Sequence, residues 1–478
     1  MLLATVWRII PVATTAAGGQ APPTASRGPL RMVRSFAGMV PTGPFHPPDP
    51  VIAVGPAVIV GVTNHGVDIF DKTGTLLDRA NFAQFFTPVR TNEGMGDPRV
   101  VFDPWSQRFL VSIHGGELPC PSLNCPVYNF IAVSRSPNPV ALDLRDWFFY
   151  KLDAWRENAV VVPSTIDYTR LGVSQDAVVI VGTKRNPNES AYMLVRILPK
   201  DALVDGADTV AFNDLVRFTE PGGRSFEHDL QPAIHMDPSD VFFLVSTLQS
   251  GEGCGMVVWA IEPPLTAPRL TSKMVSSPNP PARRCSRPPD ARQPDGVPSL
   301  FISNMPMQPA APVYRNGSLW AAVTVRMDFG SGPVSAARLV QIDVSQWPDS
   351  ATVVQDVLLG EDGVWNFFPA VGVSRDGHVA IVFARSSARE YPSAYITGRL
   401  AHDPLNTLRP VTLLKAGIAS QTRFEFGGHR WGDYFAVALD PTDDSAWTVG
   451  EYTVSDQFWG TWIGQLDWSV VDPLQVSR

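Results

Sequence analysis

The sequence predicts an all-β fold built from one repeated antiparallel hairpin. Three observations carry this expectation. First, the composition is rich in turn formers and poor in charge: 45 Pro and 37 Gly among 478 residues, 13 Trp, and 18% charged residues. That suits many short strands joined by tight turns. Second, few stretches keep an apolar period of about 3.6 residues, so little helix is expected. Third, a unit recurs along the chain: a polar cluster, an apolar strand, a tight turn and a second apolar strand.

The units fall near residues 50–62, 97–112, 167–181, 231–245, 309–323, 369–383 and 433–450. Their turns are Gly55-Pro56, Asp103-Pro104, Ser174 to Asp176, Asp237-Pro238, Asn316-Gly317, Asp376-Gly377 and Asp440-Pro441. Proline pre-sets φ at such bends and Asp or Asn caps them through its own side chain. The last copy, Arg430 to Tyr452, is the clearest. Two further β-rich segments generally follow each hairpin, as Met256 to Ile261 and Arg269 to Val275 do after the fourth.

Four strands in each of seven units, repeating about every 50 to 80 residues, predict a seven-bladed β-propeller. A lone four-stranded sheet cannot bury both faces, whereas blades packed around an axis cover one another. Continuous apolar runs such as Val178 to Val181 and Val241 to Val245 suit strands covered on both faces. After the last hairpin only Phe458 to Trp468 reads as a further strand. The missing strand is therefore expected from the N-terminus, near Arg31 to Gly38, where pairing would remove exposed edges. Helix is expected only near Arg79 to Phe86 and Lys200 to Leu203.

One domain is expected over residues 36–478, behind a leader or flexible arm at 1–35. Met1 to Ala21 has an apolar run and a small-residue patch suited to cleavage, but Arg8 interrupts the run and no basic segment precedes it. No apolar run approaches the length of a membrane span, about 18 residues or more. The net charge of −8 argues against nucleic acid and anionic membranes. Cys120 and Cys125 read as a small disulfide loop, with Cys254 and Cys285 as a second bridge. Without CxxC or clustered His for zinc, disulfides favour an exported protein.

Several stretches carry a family resemblance: Phe36 to Gly38, Pro48 to Pro50, Ala53 to Pro56, Asp71 to Gly74, Gly96 to Pro98, Phe102-Asp103, Arg108-Phe109, Tyr391-Pro392, Gly398-Arg399, Ser420 to Thr422 and Arg430 to Tyr434 with Asp440-Pro441, Asp443-Asp444, Trp447 and Glu451-Tyr452. In these the chain resembles a family of secreted bacterial seven-bladed β-propeller proteins, distantly similar in fold to sialidases. The resemblance covers roughly residues 36–465. It implies the fold and an exported location, and carries no established reaction. Ser445 stands where relatives often have Cys, so a family disulfide is expected to be missing.

In a propeller, residues just before each innermost strand ring one mouth of the central channel. Here they are Asp49, Asp97, Asp167 with Tyr168, Asp229 with Gln231, Gln308, Asn366, and Asp433 with Tyr434. A recurring carboxylate or amide at one repeat position suits ligand binding at that mouth. It equally suits hydrogen bonding to backbone N–H groups of neighbouring blades. No cofactor is expected; Ca²⁺ is the one ion such a ring could hold. The candidate catalytic groups are Asp97, Asp433, Tyr434 and Arg430, and a sialidase-like set could also draw on Tyr168, Arg99 and Arg170. Against that set, the Arg residues do not share a repeat position, and the eight His are scattered without metal spacing. The expected function is a monomeric binding or scaffold module for a glycan or protein. The alternatives are a glycoside hydrolase or lyase working at the same mouth, and a structural surface component.

Overall fold

The computed structural model describes residues 28–41, 47–120, 125–186, 189–219, 221, 229–248, 255–277, 286–302, 310–425 and 427–470. Among these residues nearly all regular structure is β, and the two helices are single turns, Phe82–Phe85 and Lys200–Val204. Both fall where the sequence placed them. The first is fixed by a reciprocal cap between Asn81 and Gln84, and it buries Phe82 and Phe85.

Five four-stranded antiparallel sheets stand alone. The first holds Val51–Val54, Val58–Thr63, Gly66–Asp71 and Leu76–Ala80, and the second Glu93–Asp103, Arg108–Glu117, Val127–Ser134 and Trp147–Asp153. Another holds Gln231–Pro232, Phe242–Thr247, Met256–Glu262 and Arg269–Val275. The last two hold Val364–Val373, Val379–Ser387, Glu390–Arg399 and Thr412–Lys415, and Ala436–Leu439, Ala446–Thr453 and Trp459–Val470 with Leu30–Ala37.

The expectation of seven separate blades is therefore corrected to five. The strands of the third and fifth repeats lie in one nine-stranded sheet. The cause is local. The inner strand of the fourth repeat breaks at Ala233: Gln231–Pro232 pairs outward with Val245 and Leu244, and Ile234–His235 does not. Instead, Ile234 pairs in parallel with Val173 on one side and Val313 on the other. His235 also pairs with Tyr314. This short bridge fuses Thr165–Val173 and its partners to Val313–Arg315 and its partners.

The N-terminal strand lies where expected. Leu30–Ala37 runs antiparallel to Trp459–Val470, with Phe36 opposite Ile463. The first described strand thus completes the last sheet, a non-covalent clasp that covers an edge. Inner strands of successive sheets touch in chain order, and Val51–Val54 contacts Ala436–Leu439 to close the circle.

The core lies between sheets. Val51–Val54 and Val58–Thr63 are buried along their whole length, which explains their unbroken apolar runs. Trp147, Trp259, Trp431, Trp447 and Trp459 fill the intervening gaps and are fully buried. Burial of each large apolar side chain contributes about 2 kcal/mol or more.

Cys120 and Cys125 form a disulfide. The second expected bridge, Cys254 with Cys285, lies outside the described residues, as do the leader at 1–21 and Gln308. No helix among the described residues is long and apolar enough to cross a membrane.

Candidate active or binding site at the channel mouth

The repeat position that the sequence singled out is a β-bulge. Register shifts separate Gly96 from Arg99, Asp167 from Arg170 and Phe367 from Ala370. At each bulge one residue has positive φ: Asp97 at 54°, Tyr168 at 49°, Phe368 at 51°. Asp49 at 52° and Asp229 at 86° occupy the same place before their inner strands. A bulge leaves its extra residue outside the ladder, so its N–H needs another partner. Asp suits this left-handed backbone because it is short and bonds locally.

These freed N–H groups knit neighbouring repeats together. Asp433 N donates to Asp49 Oδ1 at 2.7 Å, which joins the last sheet to the first. Asn64 Nδ2 donates to Asp49 Oδ2 at 2.9 Å, and Asp97 N donates to Asn64 Oδ1 at 2.9 Å. Tyr168 N donates to Asp97 Oδ2 at 2.9 Å. Phe368 N donates to Thr324 Oγ1 at 2.9 Å. The chain Asp433–Asp49–Asn64–Asp97–Tyr168 therefore spans four consecutive repeats.

In the third repeat the sequence placed Asp167 and Tyr168 together; Tyr168 is the bulge residue, and the Asp167 side chain lies toward the rim. One assignment is corrected. In the sixth repeat the bulge residue is Phe368; Asn366 lies two residues earlier, inside the strand, and donates to the Leu359 carbonyl. The polar-residue signal misled in the sixth repeat, because Phe368 holds the strained backbone there.

Burial divides the remaining groups into an inner and an outer set. Asp49, Asp229 and Glu451 are fully buried. Burial first, then Asp433 and Asp97, push the Asp49 carboxyl well above the usual carboxylate range. Glu451 is pushed up the same way, by burial first and then by Asp49; its Oε2 accepts from Gly432 N at 3.0 Å. Gly432 is required there, since an added Cβ would sit 2.5 Å from that oxygen. Arg430 bonds Asp433 at 2.6 Å. Burial opposes its charge, but Asp433 and Asp49 outweigh burial and hold the guanidinium protonated.

Deeper still, Arg99 lies 3.2 Å over the Tyr434 ring and 5.3 Å over that of Tyr168. Arg170 lies 4.2 Å from the opposite neighbour of the pair, the Tyr168 ring. Burial lowers both guanidinium pKa values, that of Arg170 to about 10. It raises the Tyr168 phenol. The Tyr434 hydroxyl donates to the Pro98 carbonyl at 3.2 Å. Two tyrosines and two arginines thus form one buried stack beneath the bulges. Gln231 reaches the same level from the fourth repeat and is also buried.

The outer set is accessible. Asp97 and His114 side chains are 17% and 15% exposed, and Asp167 and Arg185 are 47% and 44% exposed. His114 Nδ1 lies 3.6 Å from Asp97 Oδ2, and Arg185 Nη1 donates to Asp167 Oδ2 at 2.5 Å. Burial opposes ionisation of Asp167, but His114, Arg185 and the Tyr168 N–H keep its pKa below the ordinary value. Ligand atoms of Asp97, His114 and Asp167 lie within 4.8 Å of one another. This set suits Ca²⁺ poorly, because that ion takes about six to eight oxygen ligands and a guanidinium stands beside it. His114 and Arg185 were not picked out for the mouth by sequence reasoning. Each sits on the second strand, His114 opposite Gly96 and Arg185 opposite Thr165, a pairing that becomes visible only once the register is fixed.

No family model matches the chain, and no curated protein matches it. Among solved structures it is similar to a Trypanosoma rangeli sialidase in complex with the inhibitor DANA, at 11% identity and a TM-score of 0.39. That match covers 85% of this chain and 58% of the sialidase, so the chain spans under two thirds of that protein's length. An endo-arabinase from Bacteroides thetaiotaomicron is similar at 10% identity and a TM-score of 0.32, covering 70% and 95% of the two chains. A protein of unknown function from Dyadobacter fermentans is similar at 11% identity and a TM-score of 0.37, covering 92% and 99%. At these values the propeller assignment rests on the strand pairing described above.

Proposed function

We propose that this chain is an exported propeller that binds a glycan at the bulge-lined mouth, through Asp97, His114, Asp167 and Arg185. The observation that supports this best is their convergence from two neighbouring repeats while still exposed. Carboxylates, an imidazole and a guanidinium offer acceptors and donors to sugar hydroxyls. Asp49 and Glu451, by contrast, are fully buried and accept backbone N–H groups. Under this reading the five sheets and the nine-stranded sheet act as a single monomeric domain. The Cys120–Cys125 disulfide accords with export. Glycan binding is measured by calorimetry against a panel of neutral and acidic oligosaccharides. Binding that falls at least about tenfold in both Asp97→Asn and Arg185→Ala supports the reading. A panel with no binder, or binding indifferent to both substitutions, overturns it.

A second reading, hydrolysis at the same mouth, draws on one specific distance. The oxygens of Asp97 and Asp167 lie within 4.8 Å, close to the separation of about 5 Å between the two carboxyls of retaining glycosidases. Turnover of aryl glycosides or polysaccharides that Asp97→Asn and Asp167→Asn each abolish would favour it over binding alone.

A further inference from the structure

Below the mouth the ring encloses a cavity of about 90 Å³. Its wall is apolar for most of its length, with Val51, Ala310, Val313, Val371, Val437 and Leu439 among the lining side chains. These come from inner strands of several repeats, so the cavity runs along the axis. Four residues of inner strand, as in Val51–Val54, give it a length of roughly 13 Å.

The polar groups of this cavity gather at the bulge end. Arg99 and Gln231 line it there, with the rings of Tyr168 and Tyr434. Arg99 is 9% exposed and Gln231 3%. Among the described residues no carboxylate oxygen lies within salt-bridge distance of Arg99, whose Nη1 donates to the Pro98 carbonyl at 3.1 Å. A guanidinium has five N–H donors, so most of its capacity is directed elsewhere. The Gln231 Nε2 is buried without a hydrogen-bond partner among the described residues. A buried amide N–H and a buried guanidinium without a paired anion are both costly. Their position at the head of an apolar tube defines what would offset that cost.

We propose that the channel binds an aliphatic monocarboxylate, with its carboxylate on Arg99 and Gln231 and its hydrocarbon tail along the axis. A planar carboxylate presents two oxygens to the two donor groups. One guanidinium and one amide at the head of the tube match a single carboxylate, which limits the charge to one. An apolar tail matches the valine and alanine wall, and its transfer from water adds about 0.8 kcal/mol per buried CH₂. This site lies deeper than the glycan contacts and does not depend on them.

The test is calorimetry of the purified chain with octanoate, octan-1-ol and acetate. Octanoate is expected to bind, and both others at least about tenfold more weakly, one for want of charge and one for want of a tail. Arg99→Gln is expected to weaken octanoate by at least about tenfold. Ala310→Leu narrows the tube while leaving Arg99 in place, and should abolish octanoate binding with circular dichroism unchanged. It also decides the matter if Arg99→Gln fails to fold. Equal affinity for octanoate and octan-1-ol, no octanoate binding, or binding that survives Ala310→Leu each overturns the proposal.

Discussion

Asp49 is the joint between the first and last sheets, and its removal gives a quantitative test of how the ring is held. Asp49→Ala removes both acceptors at once. It leaves Asp433 N, 2.7 Å from Oδ1, without its partner, while Asn64 Nδ2, 2.9 Å from Oδ2, loses this bond but keeps the Pro47 carbonyl. The stranded Asp433 N–H costs about 1–3 kcal/mol, and the lost Asn64 bond about 0.5–1.5 kcal/mol. Alanine at a φ of 52° adds about 1 kcal/mol, since Asp tolerates that backbone better. The expected loss is therefore about 2.5–5.5 kcal/mol. Asp49→Asn keeps one acceptor and the tolerated backbone, and should lose less than half as much. The two also differ with pH. The folded pKa of Asp49 lies above its unfolded value. Its contribution is then fully present below the unfolded pKa and declines as pH rises toward the folded one. Asn does not titrate, so Asp49→Asn should close on wild type as pH rises from about 4. Urea unfolding followed by tryptophan fluorescence at several pH values measures both effects. A loss under about 1 kcal/mol for Asp49→Ala would refute the argument, since water would then be satisfying the Asp433 N–H.

Further expectations concern framework and charge. Arg196 and Asp214 form a fully buried pair with N–O distances of 2.9 Å, so Arg196→Ala should cost about 3–5 kcal/mol by denaturant titration, and Arg196→Met considerably less. Glu93 has its pKa lowered to about 2: burial opposes this, but the Lys151 ammonium and Thr91 outweigh burial. Its contribution is present above the unfolded pKa and is lost as pH falls toward 2, so Glu93→Gln should flatten the stability profile between about pH 4.5 and 2. Cys120 and Cys125 close a short loop, so the Cys120→Ser, Cys125→Ser double variant should lose about 2 kcal/mol in non-reducing buffer. Gly432→Ala should displace the Glu451 carboxyl and lower the melting temperature, while Gly427→Ala, which has open space around it, should be limited to the cost of its positive φ.

The fold was legible because its signals are local and repeated. Asp-Pro, Asn-Gly and Asp-Gly turns mark each hairpin, and unbroken runs such as Val178 to Val181 mark strands buried on both faces. The N-terminal clasp was legible by elimination, since the last repeat lacked one strand. The fused sheet was not. Nothing in Gln231 to His235 announces a strand that breaks at Ala233 and turns to pair sideways. That choice depends on Val173 and Val313, residues far apart in sequence.

The aspartates of the site were legible with Tyr168, Tyr434, Gln231 and Arg430; His114 and Arg185 were not. Asp49, Asp97 and Asp433 were found because aspartate recurs at one repeat position. The structure shows why it recurs: aspartate tolerates positive φ, and its carboxylate accepts the N–H that a neighbouring bulge frees. The recurrence is thus a property of the joint between repeats. Tyr168 and Phe368 hold the same backbone without being suited to it, and strain of about 1–3 kcal/mol at such positions persists only where the surroundings impose it. In Tyr168 the surroundings are Arg99, Arg170 and Tyr434, whose stack fixes the ring above the axial cavity. The informative position of this repeat is therefore the departure from aspartate. Tyr168→Asp would relieve the backbone yet remove the ring between two buried guanidinium groups. If the ring serves the channel rather than the fold, that variant should retain its unfolding midpoint and lose octanoate; a lowered midpoint with binding intact would assign Tyr168 to the framework instead.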